Sequence, residues 1–262
     1  MRIALCQIPV GDDPKENLER VRETLAATPE ADLAIFPEAT QVRFGGAVAA
    51  AAEPLDGPWV TDLAEAARAH RTAVIAGVFE PAPDGRVYNT AVAIDAGGRS
   101  AGAYRKMHLF DAFGYRESDL IAPGDGPVVV ELAGARIGLI TCYDLRFPEL
   151  ARALVGRGAG LLAVIASWAQ GTFKEEHWVT LVRARAIENT VWTVAVDKAP
   201  DPPTAKGPTG VGRSMLVDPM GTVQADLGPF PAVRVVEVDD VITARVREIL
   251  PVLEHRRPDL LG

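Results

Sequence analysis

Cysteine is scarce in this chain of 262 residues, with only Cys6 and Cys142 present. Two cysteines form at most one disulfide, and without a CxxC pair or a Cys/His cluster neither a zinc site nor thiol–disulfide exchange is expected. No histidine pair has HExxH spacing, so metal-dependent hydrolysis is unsupported. Runs of Lys and Arg are missing, and a formal net charge of -8 repels a polyphosphate backbone, which argues against a nucleic-acid partner. No apolar stretch approaches the length of a membrane span. The opening MRIALCQIPVGDDPKENLER has a short apolar run before Pro9 and Asp12, too brief for the hydrophobic region of a secretory signal. These absences lead to the expectation of a cytoplasmic protein with free thiols.

Hydrophobic residues make up 48% of the chain, enough to bury one large core, so a single domain over residues 1–262 is expected. Short, often β-branched apolar runs alternate with amphipathic stretches, the pattern of an α/β layer protein. Strands are read at RIALCQI, DLAIF, TAVIAGV, VYNTAVAID, RSAGAYR, VVVEL, RIGLITC, LLAVIA, VWTVAV, RSMLVD and VRVVEV. Helices are read at PKENLERVRETLAA, PWVTDLAEAARAHR, PELARALVGRG and EHWVTLVRARAIEN. Pro14 and Pro58 suit first helical turns after Asp13 and Gly57, and Gly156 or Gly158 suits the end of the third helix. Four helices are too few to separate eleven strands as βαβ units, so a mixed sheet with hairpins is implied.

A weak internal echo refines that picture. Asn89 to Tyr104 resembles Gly212 to Leu227: each reads as strand, Asp-based turn with Pro or Gly, then strand, and each follows a strand that comes after a helix. Two α/β halves of similar build, with sheets packed face to face, give helix, sheet, sheet and helix layers. The Pro/Gly/Asp-rich segment Ala199 to Gly210 reads as a mobile surface loop, because strand signals resume on both sides.

The segment ARIGLITCYDLRFPELARAL carries the most chemical information. An apolar strand runs into Cys142, and a helix begins within a few residues at Pro148. A nucleophile at such a corner sits on a sharp turn with backbone N–H groups free to receive an oxyanion. A free cysteine is more often simply buried, as is expected for Cys6 inside its strand. Asp144 and Arg146 set Cys142 apart, since charges beside a strand end are costly to bury without a partner or a function.

A thiol nucleophile needs a base. His70, His177 and His255 read as surface or capping residues, while His108, two residues after Lys106, stays a candidate. A carboxylate is the other option: DLAIFPEAT places Glu38 just after a strand, at a sheet edge in partly apolar surroundings. Lys106 ends a hairpin strand, where a fixed positive charge could face an amide oxygen as it becomes negative. Taken singly, Glu38 and Lys106 read as ordinary solvated side chains. Together with Cys142, all three fall just after strands.

FPEAT, YRKMHLF and TCYDLRFPEL resemble, in order, the three signature segments of the nitrilase superfamily of carbon–nitrogen hydrolases. The resemblance runs from ALCQ through RARAIEN and GRSMLVDPMG to EHRRPDL. It implies a four-layer αββα sandwich and a Glu38–Lys106–Cys142 triad. In the implied reaction Glu38 takes the thiol proton, Cys142 attacks the amide, and Lys106 with the backbone N–H of Tyr143 holds the oxyanion. Ammonia leaves and a thioester is hydrolysed, with no cofactor and no metal. A second glutamate near the Lys matches Glu117. The Cys motif is closest to the branch of omega-amidases and deaminated glutathione amidases, which implies a small-molecule amide substrate. In that branch Arg146 matches an Arg that pairs with a substrate carboxylate, and its other reading is a salt bridge to Asp144 or Glu149. Trp168 and Thr172 match pocket-lining positions, Trp168 standing where a smaller or Phe-like residue is usual. Homodimers or larger homo-oligomers are implied as well. The alternatives are N-carbamoyl or nitrile hydrolysis by the same triad, and a non-catalytic binding protein on the same fold.

Overall fold

The computed structural model describes residues 1–201, 210–257 and 259. Most of the Ala199–Gly210 segment, 202 to 209, thus lies outside the described residues.

The first half runs β1 (Arg2–Gln7), α1 (Pro14–Ala27), β2 (Leu33–Ile35), a short α2 (Val48–Ala51), α3 (Pro58–His70), β3 (Ala73–Pro81), β4 (Val87–Ile94) and β5 (Ser100–Arg105). Three short strands follow: β6 (Asp111–Ala112) pairs with β7 (Tyr115–Arg116), and β8 (Ile121–Ala122) adds to β4. After β9 (Val129–Leu132), the second half repeats the pattern with β10 (Ala135–Thr141), α4 (Pro148–Gly156), β11 (Leu161–Ala166), α5 (Lys174–Asn189), β12 (Trp192–Asp197), β13 (Met215–Val217) and β14 (Val223–Asp226). The chain then forms β15 (Ala232–Glu237) and α6 (Asp240–Ile249).

One sheet has the order β15-β1-β2-β3-β4-β5 and the other β14-β13-β12-β11-β10-β9. In each, three strands run parallel through helical crossovers and two antiparallel hairpin strands follow, while one more antiparallel strand, β15 or β9, flanks the first. The echoed hairpins are therefore β4–β5 and β13–β14, at equivalent places in the two halves. The eleven expected strands and four expected helices all form. The second strand of the Gly212–Leu227 echo forms as β14, while the two-residue strands β6 to β8 and the helices α2 and α6 carry no signal that the sequence reading used.

Period-two alternation explains the layers. Ile3, Leu5, Leu33, Ile35 and Ile75 point inward and share one apolar cluster with Ile137, Leu139 and Val164 of the opposite sheet. Ala4, Cys6, Ala34 and Val74 point outward and pack under α1 and α3 with Leu18, Val21 and Leu63. On the far side α4 and α5 cover β10 and β12. Burial of each such Leu or Ile contributes about 1.5–3 kcal/mol, so the four-layer αββα sandwich is held chiefly by its two sheet faces. Asp13 caps α1 by accepting from Lys15 N at 2.8 Å, and Pro14 opens the helix. α4 ends at Gly156, and Gly158 supplies the left-handed turn after it at φ +90°.

β2 lies between β1 and β3. Glu38 thus emerges at the end of an interior strand, not at a sheet edge as its sequence context suggested, because parallel crossovers place β1 and β3 on either side. Among the described residues no helix is long and apolar enough to cross a membrane.

Candidate functional site

Glu38, Lys106 and Cys142 each follow the C-terminal end of a strand, β2, β5 and β10. The two sheets bring these ends to one cavity of about 340 Å³. The Glu38 turn is shaped by a close backbone approach: Gly77 N donates to Pro37 O at 3.1 Å, and Gly77 O accepts from Gln41 N at 3.0 Å. A Cβ on Gly77 would meet Glu38 Cα at 2.8 Å and come closer still to Ala39 N, so only glycine fits there. Ala39 completes the turn with φ +59°.

Buried Glu38, Lys106 and Glu117 form one charged cluster. Lys106 Nζ donates to Glu38 Oε1 at 3.0 Å and to Glu117 Oε1 and Oε2 at 2.8 and 2.9 Å. Asn89 Nδ2 donates to Glu38 Oε1 at 2.7 Å, and Ser167 N to Glu38 Oε2 at 2.8 Å. Glu117 Oε2 also accepts from Phe110 N at 2.6 Å. Burial alone would lower the Lys106 pKa, but Glu117 and then Glu38 outweigh it and hold the ammonium well above its ordinary range. The lysine cation is thereby clamped between the two carboxyl groups.

Cys142 begins a 3-10 turn, Cys142–Arg146, with φ +50°. A left-handed backbone at a non-glycine residue costs of order 1–3 kcal/mol and concentrates at functional turns. Burial first, and the charge of Glu38 second, push the thiol pKa well above its usual range, while Lys106 opposes them. The turn is bolted to the opposite sheet through Asp144, which is buried. Its Oδ2 accepts from Tyr104 OH at 2.7 Å and from Thr141 N at 3.1 Å, and its Oδ1 accepts from His108 N at 3.0 Å. His108 Nδ1 lies 2.7 Å from the same Oδ1, and its ring stacks on Phe147 at 3.8 Å. His108 is thus absorbed in supporting the corner and does not line the cavity.

The remaining wall is aromatic and cationic. Tyr143, Arg146 and Trp168 line it, as does Glu117. Arg146 pairs with neither Asp144 nor Glu149: among the described residues it has no carboxylate partner, and its guanidinium lies 4.8 Å over the Trp168 ring while Nη2 donates to His177 Nδ1 at 3.3 Å. Its Nε is buried with no hydrogen-bond partner among the described residues. Thr172 departs from expectation. It is exposed on the turn before α5 and does not line the cavity, because the left-handed Phe173 at φ +58° redirects the chain and Lys174 takes the wall position.

Sequence reading missed Asn89, Lys174 and Asp197. Asn89 is a polar residue in an apolar strand, a usable signal. Asp197 ends β12 fully buried and accepts from Trp168 N, Val211 N and Gly212 N at 2.7, 2.8 and 3.0 Å, fixing the wall behind Trp168. Burial pushes its pKa well up against those hydrogen bonds. No group of three or more potential metal-ligating side chains occurs among the described residues.

Comparison with known proteins gives this arrangement its context. A family model described as carbon-nitrogen hydrolase matches residues 2–247. The chain is 43% identical to a hydrolase of Mycobacterium tuberculosis, covering 98% of this chain and 95% of that one. It is 35% identical to a deaminated glutathione amidase of Escherichia coli O157:H7, over the whole of both chains. Among solved structures, the NitFhit protein of C. elegans superposes with a TM-score of 0.90 at 31% identity, covering 99% of this chain and 65% of the other. With its αββα layers and this match over most of its length, the chain belongs to the carbon–nitrogen hydrolase family of the nitrilase superfamily and is an enzyme of the amidase type.

Proposed function

We propose that the chain, acting as one domain over residues 1–262, hydrolyses the terminal amide of a small carboxylate-bearing molecule through a thioester on Cys142. The observation that carries this reading is the left-handed Cys142 turn sharing a cavity with a lysine clamped between two buried carboxylates. The thiol stays protonated in the free enzyme because burial and Glu38 oppose its ionisation. Glu38 therefore removes the proton as sulfur attacks the carbonyl carbon. The resulting oxyanion is held by Lys106 and the backbone N–H of Tyr143. As the C–N bond breaks, Glu38 returns the proton to nitrogen and ammonia leaves. Glu38 then takes a proton from water, hydroxide adds to the thioester, and the acid departs as the thiol re-forms. Glu117 keeps Lys106 in place throughout.

Arg146 supports the carboxylate part of the proposal, since a guanidinium on the cavity wall with no carboxylate partner among the described residues suits a bidentate anion. Trp168 and Tyr143 shape the space beside it. The relative named deaminated glutathione amidase supports the same substrate class, and the omega-amidase likeness of the Cys motif agrees with it. The proposal extends to a homodimer or larger assembly, supported by exposed apolar Val241, Ile242 and Ile249 on α6, and to a cytoplasmic location, supported by two unpaired thiols.

The test is mass spectrometry of the protein incubated with 2-oxoglutaramate, deaminated glutathione, an N-carbamoyl amino acid and an aliphatic nitrile. A mass increase on Cys142 matching the acyl group of an amide is expected, and labelling only by the carbamoyl compound or the nitrile would move the assignment to those reactions. No adduct and no turnover with any of them would overturn it in favour of a binding protein. Loss of activity in Glu38→Gln with retention in His108→Ala is also expected, and the reverse pattern would give the base role to His108.

A further inference from the structure

We infer that Lys174 is a second cationic receptor beside Arg146, the two together receiving one carboxylate of the substrate and making the enzyme selective for anionic amides. This rests on the proposed amide hydrolysis and deepens it.

Lys174 is buried, lines the cavity, and has no carboxylate partner among the described residues. Its ammonium instead lies 4.5 Å from the ring centres of Phe110 and Phe113 and 5.6 Å from that of Trp168. Aromatic faces orient a cation without neutralising it. Its position also runs against local preference. Lys174 is the first residue of α5, where the helix dipole disfavours positive charge. A local rule broken in a cavity wall, with no compensating ion pair among the described residues, marks a residue held there for a ligand. Arg146 shares the Trp168 indole at 4.8 Å, and its Nε is buried without a partner among the described residues. Burial, and then the Arg146 charge, push the Lys174 pKa down, consistent with two like charges awaiting an anion.

The charge balance points to a single carboxylate. Counted in formal charges, the Glu38–Lys106–Glu117 cluster sums to one negative charge and Arg146 with Lys174 to two positive ones. One bound carboxylate makes the cavity neutral. Phe173, left-handed and exposed, sets the turn that brings Lys174 to the wall while leaving Thr172 outside.

The experiment compares dissociation constants for glutaramate and for the uncharged pentanamide on protein carrying Cys142→Ala, with and without Lys174→Met or Lys174→Arg. Glutaramate is expected to bind at least about tenfold tighter than pentanamide when Lys174 is present. That preference should shrink about tenfold in Lys174→Met and return in Lys174→Arg, which a purely structural role would not produce. An unchanged preference in Lys174→Met, or no recovery in a folded Lys174→Arg protein, would overturn the receptor. Hydrolysis by the enzyme with Cys142 intact separates the two claims. If it hydrolyses glutaramate but the preference ignores Lys174, the receptor falls alone; if it hydrolyses neither amide while the preference follows Lys174, the hydrolysis falls alone.

Discussion

Lys106→Met perturbs the centre of the site and its consequence can be worked from the contacts. The lysine makes three charge-assisted hydrogen bonds, one to Glu38 and two to Glu117. Methionine matches its stem but leaves two buried carboxylates facing each other across Asn89, whose Nδ2 lies 2.7 Å from Glu38 Oε1 and 3.5 Å from Glu117 Oε1. Breaking a buried pair from one side costs about 3–5 kcal/mol, a large fraction of an ordinary stability of about 5–15 kcal/mol. Adding Glu117→Gln to that variant removes one of the two carboxylates, and Gln can still accept from Phe110 N. The double variant is therefore expected to regain about 1–3 kcal/mol over Lys106→Met, although Glu117→Gln alone is destabilising. The assay is urea unfolding of the four proteins at one pH, read as a double-mutant cycle. Lys106→Met within about 1 kcal/mol of the parent, or losses that simply add, would refute the reasoning. Amide hydrolysis should fall by about 10²–10³-fold in Lys106→Met and stay low in the double variant, because removing a carboxylate does not restore the oxyanion contact.

Other substitutions probe the remaining parts. Iodoacetamide should label Cys142 slowly at neutral pH, since its thiol is held above the ordinary range; Glu38→Gln removes an opposing anion and should move the labelling profile to lower pH, whereas Lys106→Met should move it higher. Gly77→Ala should destabilise by about 1–3 kcal/mol and reduce turnover, because its Cβ forces the Glu38 turn away; thermal unfolding and steady-state kinetics report both effects. Arg146→Met should raise KM for glutaramate by about tenfold or more with a smaller change in kcat, consistent with loss of ground-state binding. Asp197→Asn puts an amide donor against backbone N–H groups and should cost about 1–3 kcal/mol, with a shift in tryptophan fluorescence from the Trp168 wall.

The sequence by itself determined the layers and the order of the chemistry. Period-two alternation in runs such as RIALCQI and LLAVIA, Pro14 and Pro58 at helix starts, and the repeated Asp-turn hairpin sufficed for two similar halves, because each signal is local and repeats along the chain. The motifs around Glu38, Lys106 and Cys142 were legible for the same reason, each lying at the end of a strong strand signal. Only the tertiary structure decided what those residues meet. Glu38 to Lys106 is a separation of 68 residues, and the bond from Ser167 N to Glu38 spans 129, so neither contact has a local periodicity to announce it. The same holds for His108, which spacing left as a possible base and which the fold commits to Asp144. Thr172 and Lys174 differ by one left-handed residue, Phe173, whose backbone no propensity predicts. Long-range packing thus chose which charges are clamped and which stay open to a ligand, while local pattern chose the scaffold that carries them.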